Sequence, residues 1–355
     1  MSRRIITISY TSLDAGGGVP KFNRDLHDAF PDRERRHFCW MDFPWHPEVD
    51  ERGETEWGRA RTLNEYLVKS RLITTEDVVI ADGFWADGLD HLPLAVSHSH
   101  GIWSHLTDVD VRAGKQPDMP YHHAAQVAFR QRWTSRRKHI TAVSDFIAEQ
   151  MRLQWGFEVD RVINNGVDTE YWKPRDKIEA LKRPLIVHGV NDHSNQNKGW
   201  DHIEQLSQFG IVLSLDELHS KTFGLGREVP GLDPSVDRWE KNLTLTQADL
   251  VVHPSGYEGN SMFVAEALAC GVPIVGYDVG FAYWLKDLGW DDRVGSIISR
   301  VTRSPETTLA WVQKTLEDDL PLMGKNAREV AVKYLSIESF RSNWREYVEE
   351  IEHDK

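Results

Sequence analysis

Short, unbroken runs of apolar residues recur along the chain, and each is followed by a segment of helical length. Runs that are apolar at consecutive rather than alternating positions are typical of parallel strands whose sheet is covered by helices on both faces. The first series comprises residues 5–10, 77–81, 94–97 and 139–143, and the second comprises residues 184–189, 211–213, 250–252 and 273–276. Two such series predict two doubly wound α/β domains.

The second series of runs begins after Trp172-Lys173-Pro174, which places the domain boundary near residue 174. A chain of 355 residues is also too long for one ordinary core. We therefore expect an N-terminal domain over residues 1–173 and a C-terminal domain over residues 174–335, facing a central cleft. Aromatic residues at helical spacing predict an amphipathic helix over residues 337–351.

The composition limits the partners and the compartment. A formal net charge of −13 repels nucleic acid and anionic lipid, so binding to either requires a local basic patch. No apolar run approaches the roughly 18 residues that cross a bilayer, and the first residues lack the apolar stretch of a secretory signal. The two cysteines, Cys39 and Cys270, are far apart in sequence and fit a reducing compartment. A cytoplasmic protein is expected, with peripheral contact to a membrane left open.

The segment 253–273 has the most informative pattern, because it runs from a strand end through a loop into a helix that ends at Gly271. Glu258 lies in the loop at the carboxyl end of the strand, where open α/β sheets bind ligands, and Glu266 is predicted about two turns into the helix. A helix start attracts anions. The amides predicted to bind a diphosphate there belong to Gly259, Asn260, Ser261 and Met262. Since carboxylates accept hydrogen bonds from vicinal hydroxyls, the two glutamates could each bind one diol of a sugar nucleotide. For an arbitrary pair of glutamates, the favoured interpretation would be a surface loop residue and an exposed helix residue, and the surrounding residues decide between the two.

This segment resembles the E-x7-E donor motif of retaining family 4 glycosyltransferases of the GT-B fold. Other landmarks follow in the family's order: a glycine loop after the first strand, a crossover between domains, a phosphate-contacting lysine and a closing helix. They are Gly17-Gly18-Val19, the segment 162–174, Lys198-Gly199, and Phe340, Trp344 and Tyr347. The resemblance spans nearly the whole chain. It implies a GT-B fold of two Rossmann-like domains in which residues 336–355 form a helix that returns to the N-terminal domain.

The resemblance also implies an activity and a set of roles. The enzyme would be a hexosyltransferase-like, metal-independent glycosyltransferase that takes a nucleoside-diphosphate sugar as co-substrate and needs no cofactor. Glu266 would bind ribose hydroxyls, Glu258 the transferred sugar and Lys198 the diphosphate. Gly17 and Gly18 would join the donor site, and the amides after Glu258 would stabilise charge on the leaving group.

Two departures from the family pattern affect the donor site. The family's arginine after the first strand of the second domain is missing, because the stretch reads Gly189-Val190-Asn191-Asp192. Either another residue such as Arg227 replaces it, or the activity is reduced or altered. The family's paired glycines are replaced by Val279-Gly280-Phe281, and this leaves the base and the sugar of the donor open.

Three histidines, His98, His100 and His105, lie close together after the predicted strand 94–97. The family has a histidine near the reacting sugar, and His100, which precedes Gly101, aligns best with it; His98 is the alternative. A metal site is disfavoured because the spacing fits no standard ligand pattern. The D-x-D pattern at residues 108–110 is interpreted as a solvated acidic loop, since such short patterns arise easily among 55 acidic residues.

One basic stretch, residues 130–138, lies in the expected acceptor domain, where a solvated helix face is the alternative interpretation. Its acceptor-side candidates are Arg130, Arg132 and Trp133. The favoured acceptor is a saccharide or a lipid-linked molecule, the latter bound at a membrane surface. A nucleic-acid acceptor such as modified DNA is less favoured.

Two other functions stay open. An epimerase or a phosphorylase would use the same fold and the same phosphate-binding helix. A catalytically impaired binding subunit is the other, because the missing arginine permits nucleotide recognition without turnover.

Overall fold

The structure, a computed structural model, describes residues 3–15, 17–42, 56–101, 139–156, 158–179, 181, 183–189, 196–214 and 234–353. The described residues form two compact units. One takes in those up to Gly166 and from Ile337 onward, and the other takes in those from Val167 to Ser336.

Strands and helices alternate along both units. The described strands are β1 (Ile5–Ser9), β2 (Arg35–Cys39), β3 (Val78–Asp82), β4 (Ala95–Ser99), β5 (His139–Ala142), β6 (Arg161–Val162), β7 (Leu185–His188), β8 (Ile211–Ser214), β9 (Leu250–His253), β10 (Ile274–Tyr277) and β11 (Gly295–Ile298). The described helices are α1 (Gly18–Asp28), α2 (Glu56–Lys69), α3 (Asp145–Trp155), α4 (Pro234–Gln247), α5 (Met262–Ala269), α6 (Phe281–Asp287), α7 (Pro305–Glu317), α8 (Leu320–Tyr334) and α9 (Ile337–His353).

The first unit is built on a parallel sheet in the order β2-β1-β3-β4-β5-β6. Successive residues of β1 face opposite sides of this sheet. Ile5 lies in a buried apolar cluster with α1 and α9, whereas Ile6 and Ile8 lie in a second cluster with α2. Because both faces are covered, every position of β1 is buried, including the polar residues Thr7 and Ser9.

The last helix belongs to the first unit. Trp344 of α9 is fully buried in the same cluster as Phe22 and Phe340. Polar contacts add to this packing: the Tyr347 hydroxyl donates to Asp160 at 2.9 Å, and Arg33 forms an ion pair with Glu352 at 2.8 Å. The predicted amphipathic helix, and its return to the N-terminal part of the chain, are therefore confirmed.

The second unit is built on a parallel sheet in the order β11-β10-β9-β7-β8. β7 and β9 are direct neighbours, with Ile186 opposite Leu250. The segments that leave their carboxyl ends therefore start side by side at one edge of the sheet. Together the two sheets confirm the prediction of two parallel α/β units.

None of the described helices is both long enough and apolar enough to span a bilayer.

Candidate active site

The loop between β9 and α5 holds the two glutamates singled out in the sequence. Ser261 precedes the first turn of α5 in an extended conformation, so the helix begins at Met262. Glu266 consequently lies about one turn into the helix, and the prediction of two turns was wrong. Residues 258–260 stay outside the helix and lie beside Gly280, where a Cβ would be 3.3 Å from the Gly259 carbonyl oxygen.

Glu258 forms an ion pair with the lysine that the sequence placed beside a diphosphate. Lys198 Nζ, which follows β7, donates to Glu258 Oε1 at 2.6 Å. His253 Nε2, at the end of β9, lies 3.6 Å from the same oxygen. Burial raises the pKa of Glu258, but the charge of Lys198, the neighbouring His253 and hydrogen bonds from Lys198 and Ser255 together outweigh it, and the net pKa lies below the ordinary value. Glu258 is therefore a carboxylate at neutral pH, oriented to accept hydrogen bonds from hydroxyl groups.

His253 has no charge at neutral pH. Burial lowers its pKa to about 4, and the nearby Lys198 adds to this effect although Glu258 opposes it. A neutral imidazole beside the Glu258–Lys198 pair supplies one donor or one acceptor, depending on its tautomer. Sequence reasoning missed this residue, because a single histidine before a proline has no distinguishing pattern.

Glu266 also has a lysine partner. Lys241 Nζ of α4 lies 2.5 Å from Glu266 Oε2, and the glutamate side chain is 8% exposed. The ammonium lies 5.9 Å from the ring centroids of both Trp172 and Phe263. Sequence reasoning did not identify Lys241, which is separated from Glu266 along the chain by the end of α4, β9 and the loop that follows.

Backbone hydrogen bonds hold the Lys198 segment against the Glu258 loop. Gly256 N donates to the Asn197 carbonyl at 2.9 Å, and Asn197 Nδ2 donates to the Tyr257 carbonyl at 3.0 Å. Arg303 spans both segments, because its Nε donates to the Pro254 carbonyl at 2.8 Å and its Nη2 donates to the Asn197 carbonyl at 3.3 Å. We call this set of contacts the Arg303 clamp; it fixes the separation of Lys198 and Glu258.

Gly199, directly after Lys198, is required by this packing. Its φ of +75° lies in the left-handed region, and a Cβ there would lie 2.9 Å from Arg303 Nη2 and 3.0 Å from Pro254 Cβ. The absence of a side chain at Gly199 therefore leaves room for Arg303 and Pro254 to pack beside Lys198.

The amides predicted to bind a diphosphate lie at the start of α5. Gly259, Asn260, Ser261 and Met262 are all half-buried. The first N–H groups of a helix lack partners within the helix and favour an anion. With Lys198 beside the loop, this edge of the sheet combines cationic, amide and carboxylate groups, which is the chemistry that a phosphorylated sugar requires.

The histidines of the first unit lie at the carboxyl end of β4. His98 is fully buried; its Nδ1 lies 2.9 Å from Thr141 Oγ1 and its ring stacks on Phe22 at 4.5 Å. His100 is less enclosed, with its Nε2 3.7 Å from Asp82 Oδ1. Burial lowers the pKa of both imidazoles, and for His100 Asp82 opposes the shift. Both rings are neutral at pH 7, and His100 has the more accessible position.

The glycine loop precedes α1 in the same unit. Gly17 adopts a φ of +105°, which requires glycine, and α1 begins at Gly18. Both residues are exposed.

Several predicted positions lie outside the described residues, as does the D-x-D pattern at 108–110. They are His105, Arg130, Arg132, Trp133 and Arg227. Among the residues that are described, no group of histidine, cysteine, aspartate and glutamate side chains is arranged to hold a metal ion.

Comparison with known proteins adds to this geometry. Residues 234–284, which include Lys241, Glu258 and Glu266, match the family model described as Glycosyl transferases group 1. A search of curated proteins finds no significant match.

Three solved structures resemble the chain over nearly its full length. Sucrose-phosphate synthase from Thermosynechococcus elongatus is 15% identical, with a TM-score of 0.72 over 99% of this chain and 100% of that one. WaaG, a glycosyltransferase involved in lipopolysaccharide biosynthesis, is 15% identical, with a TM-score of 0.63 over 98% and 99%. HepE of Anabaena, in complex with UDP, is 17% identical, with a TM-score of 0.63 over 98% and 100%. These likenesses confirm the GT-B fold, and together with the family match they support a glycosyltransferase.

Proposed function

We propose that this chain is a retaining, hexosyltransferase-like glycosyltransferase that moves a sugar from a nucleoside-diphosphate sugar to a hydroxyl acceptor. The observation that supports it best is the pairing of two glutamates, Glu266 buried and Glu258 half-buried, with two lysines around the start of α5. This arrangement lies within the segment that matches the glycosyltransferase family model. It provides one carboxylate for the hydroxyls of the transferred sugar, one for the hydroxyls of the ribose, and a cation for the diphosphate between them.

In the proposed complex the donor replaces the contacts made in its absence. Lys198 Nζ turns from Glu258 toward the diphosphate, and Glu258 accepts hydrogen bonds from hydroxyls of the sugar. Glu266 accepts those of the ribose. The amides at the start of α5 stabilise the charge that develops on the leaving diphosphate when the glycosidic bond breaks. Attack on the same face of the sugar, assisted by that phosphate, would retain the anomeric configuration.

The acceptor side of the proposal is assigned to the first unit. His100 would contact the reacting sugar as a neutral hydrogen-bonding group, with His98 packing behind its ring. A saccharide or a glycolipid is the proposed acceptor, and no metal ion or cofactor takes part. The proposal places the enzyme in the cytoplasm, which the two buried, unpaired cysteines favour.

The test measures release of nucleoside diphosphate from a panel of sugar nucleotides that varies base and sugar, with and without saccharide and glycolipid acceptors. We expect one donor to turn over, with equal rates in EDTA and with an α-linked product from an α-linked donor. Glu258→Gln and His100→Ala should each lower turnover by at least about 100-fold. An exposed residue far from both sites, changed in His353→Gln, should have no effect.

The outcomes separate the alternatives. Interconversion of the donor sugar without an acceptor would indicate an epimerase, and a requirement for inorganic phosphate would indicate a phosphorylase. An inverted product or dependence on a metal ion would contradict the proposed mechanism.

A binding subunit without turnover is the second candidate, and one observation favours it. The stretch 189–192 has no arginine, and Lys198 is already paired with Glu258 at 2.6 Å. Tight donor binding with no transfer to any acceptor would support this candidate over the enzyme.

A further inference from the structure

We propose that Lys241 is a positioning residue for the donor, acting through Glu266 to select a nucleotide that has a complete ribose diol. The inference rests on the proposed function, because it assigns Glu266 to the ribose. Lys241 lies outside the E-x7-E segment.

The geometry around Glu266 fixes which of its oxygens remains for a ligand. Lys241 Nζ lies 2.5 Å from Oε2. Oε1 is therefore the oxygen left to accept from a hydroxyl. The glutamate side chain is only 8% exposed, so little water reaches it and the ammonium is its main source of charge compensation.

The lysine is itself held in place. Its ammonium lies 5.9 Å from the rings of Trp172 and Phe263, whose electron-rich faces attract a cation. About two thirds of the Lys241 side chain is covered, and this limits the conformations in which the ammonium can keep its ion pair with Glu266.

The helix that bears Lys241 is fixed by its neighbours on the same face. Arg238 forms an ion pair with Asp168 at 3.2 Å and lies over the Tyr171 ring at 4.0 Å. Asn242 Nδ2 donates to the Tyr171 carbonyl at 3.1 Å. Three residues of α4 thus contact the segment 168–172 and Glu266, and this sets the position of Lys241 relative to the carboxylate.

The physical effect of Lys241 is to orient the buried carboxylate of Glu266 and to place a positive charge beside it. Hydrogen bonds from a hydroxyl to a carboxylate are about twice as strong as those to a neutral acceptor. A nucleotide with both ribose hydroxyls benefits from this charge, whereas one that lacks the 2′-hydroxyl benefits less. Lys241 should therefore determine affinity for the ribose and leave the phosphate contacts unchanged.

The test measures the Kd of UDP and of 2′-deoxy-UDP, or of the corresponding pair for whichever base the wild type prefers, by calorimetry on the full chain. Lys241→Met should weaken binding of the ribonucleotide by about tenfold and reduce the ratio of the two Kd values toward one. Lys241→Arg should restore most of that ratio. In the Glu266→Gln background, Lys241→Met should change the Kd little, because Lys241 acts on the nucleotide only through its ion pair with Glu266.

Lys314→Met is the matched control, since Lys314 is an exposed lysine that lies 4.2 Å from the Trp311 ring centroid. It should leave both Kd values unchanged. If Lys241→Met lowers the affinity for both nucleotides equally, Lys241 contacts the phosphates rather than acting through the ribose. If it lowers neither affinity, Lys241 has no role in nucleotide binding. Either result overturns the inference. Failure of the wild type to bind any nucleoside diphosphate would instead contradict the proposed function.

Discussion

Charge neutralisation at individual residues organises the second unit's site. Glu266 is a buried carboxylate and Glu258 a half-buried one, and each has a lysine ammonium within 2.6 Å. A buried carboxylate without a partner is costly, whereas a paired one remains ionised and keeps its orientation. The hydrogen-bond acceptors of the candidate site, the two carboxylates, are therefore in place without a ligand. In the proposed complex a ligand replaces existing partners of these groups, and no new charge has to form.

Buried neutral histidines make the stability of the protein dependent on pH. His202 is 1% exposed, its Nδ1 lies 2.7 Å from Thr308 Oγ1, and burial lowers its pKa from 6.5 to about 4. Between these values the unfolded chain binds a proton that the folded chain excludes, so stability falls as the pH drops through that window. From pH 7 to pH 5 this one residue should lower the free energy of unfolding by about 2 kcal/mol.

Urea unfolding at pH 7 and pH 5 measures this effect. His202→Gln should reduce the pH dependence by about 2 kcal/mol, whereas the exposed control His353→Gln should leave it unchanged. An identical pH dependence in wild type and His202→Gln would contradict the assignment.

Gly199 offers a second prediction at the level of one residue. Gly199→Ala should cost about 1–2 kcal/mol for its positive φ and should also displace Arg303 or Pro254, since its Cβ would lie within 3.0 Å of both. We expect nucleotide affinity to fall by at least about tenfold, because the displaced residues hold the Lys198 segment. Gly156→Ala is the matched control: Gly156 has the same φ of +75° but nothing within 4 Å of its Cβ.

Gly156→Ala should therefore lower stability by a similar amount and leave nucleotide binding unchanged. Calorimetry on both variants separates the two effects. Equal nucleotide affinities in the two variants would show that the contact of Gly199 with Arg303 and Pro254 does not affect binding.

At the level of elements, the sequence predicted the enclosed strands and missed most of those at sheet edges. β1, β3, β4 and β5 are enclosed by neighbours and helices, so their apolar runs are visible. β2 reads Arg-Arg-His-Phe-Cys and lies at an edge, where one side needs no apolar partner. Edge position alone does not decide the outcome: β8 at one edge of the second sheet was predicted, whereas β11 at the other edge was missed although all of it is buried, because only Ile297 and Ile298 in it are large apolar residues.

The candidate site, like the strands, could be predicted only in part from the sequence. Glu258 and Glu266 lie in one continuous strand-loop-helix segment, and the resemblance identified them together with Lys198. Lys241 and Arg303 come from α4 and from the segment before α7, and only tertiary packing brings them to the loop. No spacing rule connects such residues, so they became identifiable only in three dimensions.

The Arg303 clamp joins two loops, and its removal should affect catalysis more than folding. Arg303→Met removes the hydrogen bonds to Pro254 and Asn197, so Lys198 and Glu258 lose their fixed separation. We expect kcat/KM for the donor to fall by about 100-fold, as misplacement of about 1 Å commonly does. Initial transfer rates and thermal unfolding, measured together, test this.

Arg293→Met is the control, because Arg293 is exposed and packs only over the Trp290 ring. Arg303→Lys should recover little, since an ammonium lacks the planar fork that reaches both carbonyls. Unchanged kinetics in Arg303→Met would show that the backbone hydrogen bonds of Asn197 suffice.

At the scale of the whole molecule, α9 links the end of the chain to the core of the first unit. Trp344→Ala should destabilise that unit by about 3–5 kcal/mol, because a fully buried indole is removed. Hydrogen exchange should show loss of protection in β1 and β3 while β9 and β10 keep theirs. Trp239→Ala is the control, as Trp239 is 52% exposed. Equal loss of protection in both units would mean that they unfold together.

The position of α9 has a consequence for biosynthesis. A ribosome releases the chain from its N-terminus, so residues up to Gly166 emerge before the helix that completes their core has been translated. Among the described residues, the second unit runs from Val167 to Ser336 and includes nothing that follows Ser336. The half that is made first is therefore the half that finishes last, and a chain that terminates between Gly166 and Ile337 leaves uncovered the apolar surface on which α9 packs, which chaperones and proteases can recognise.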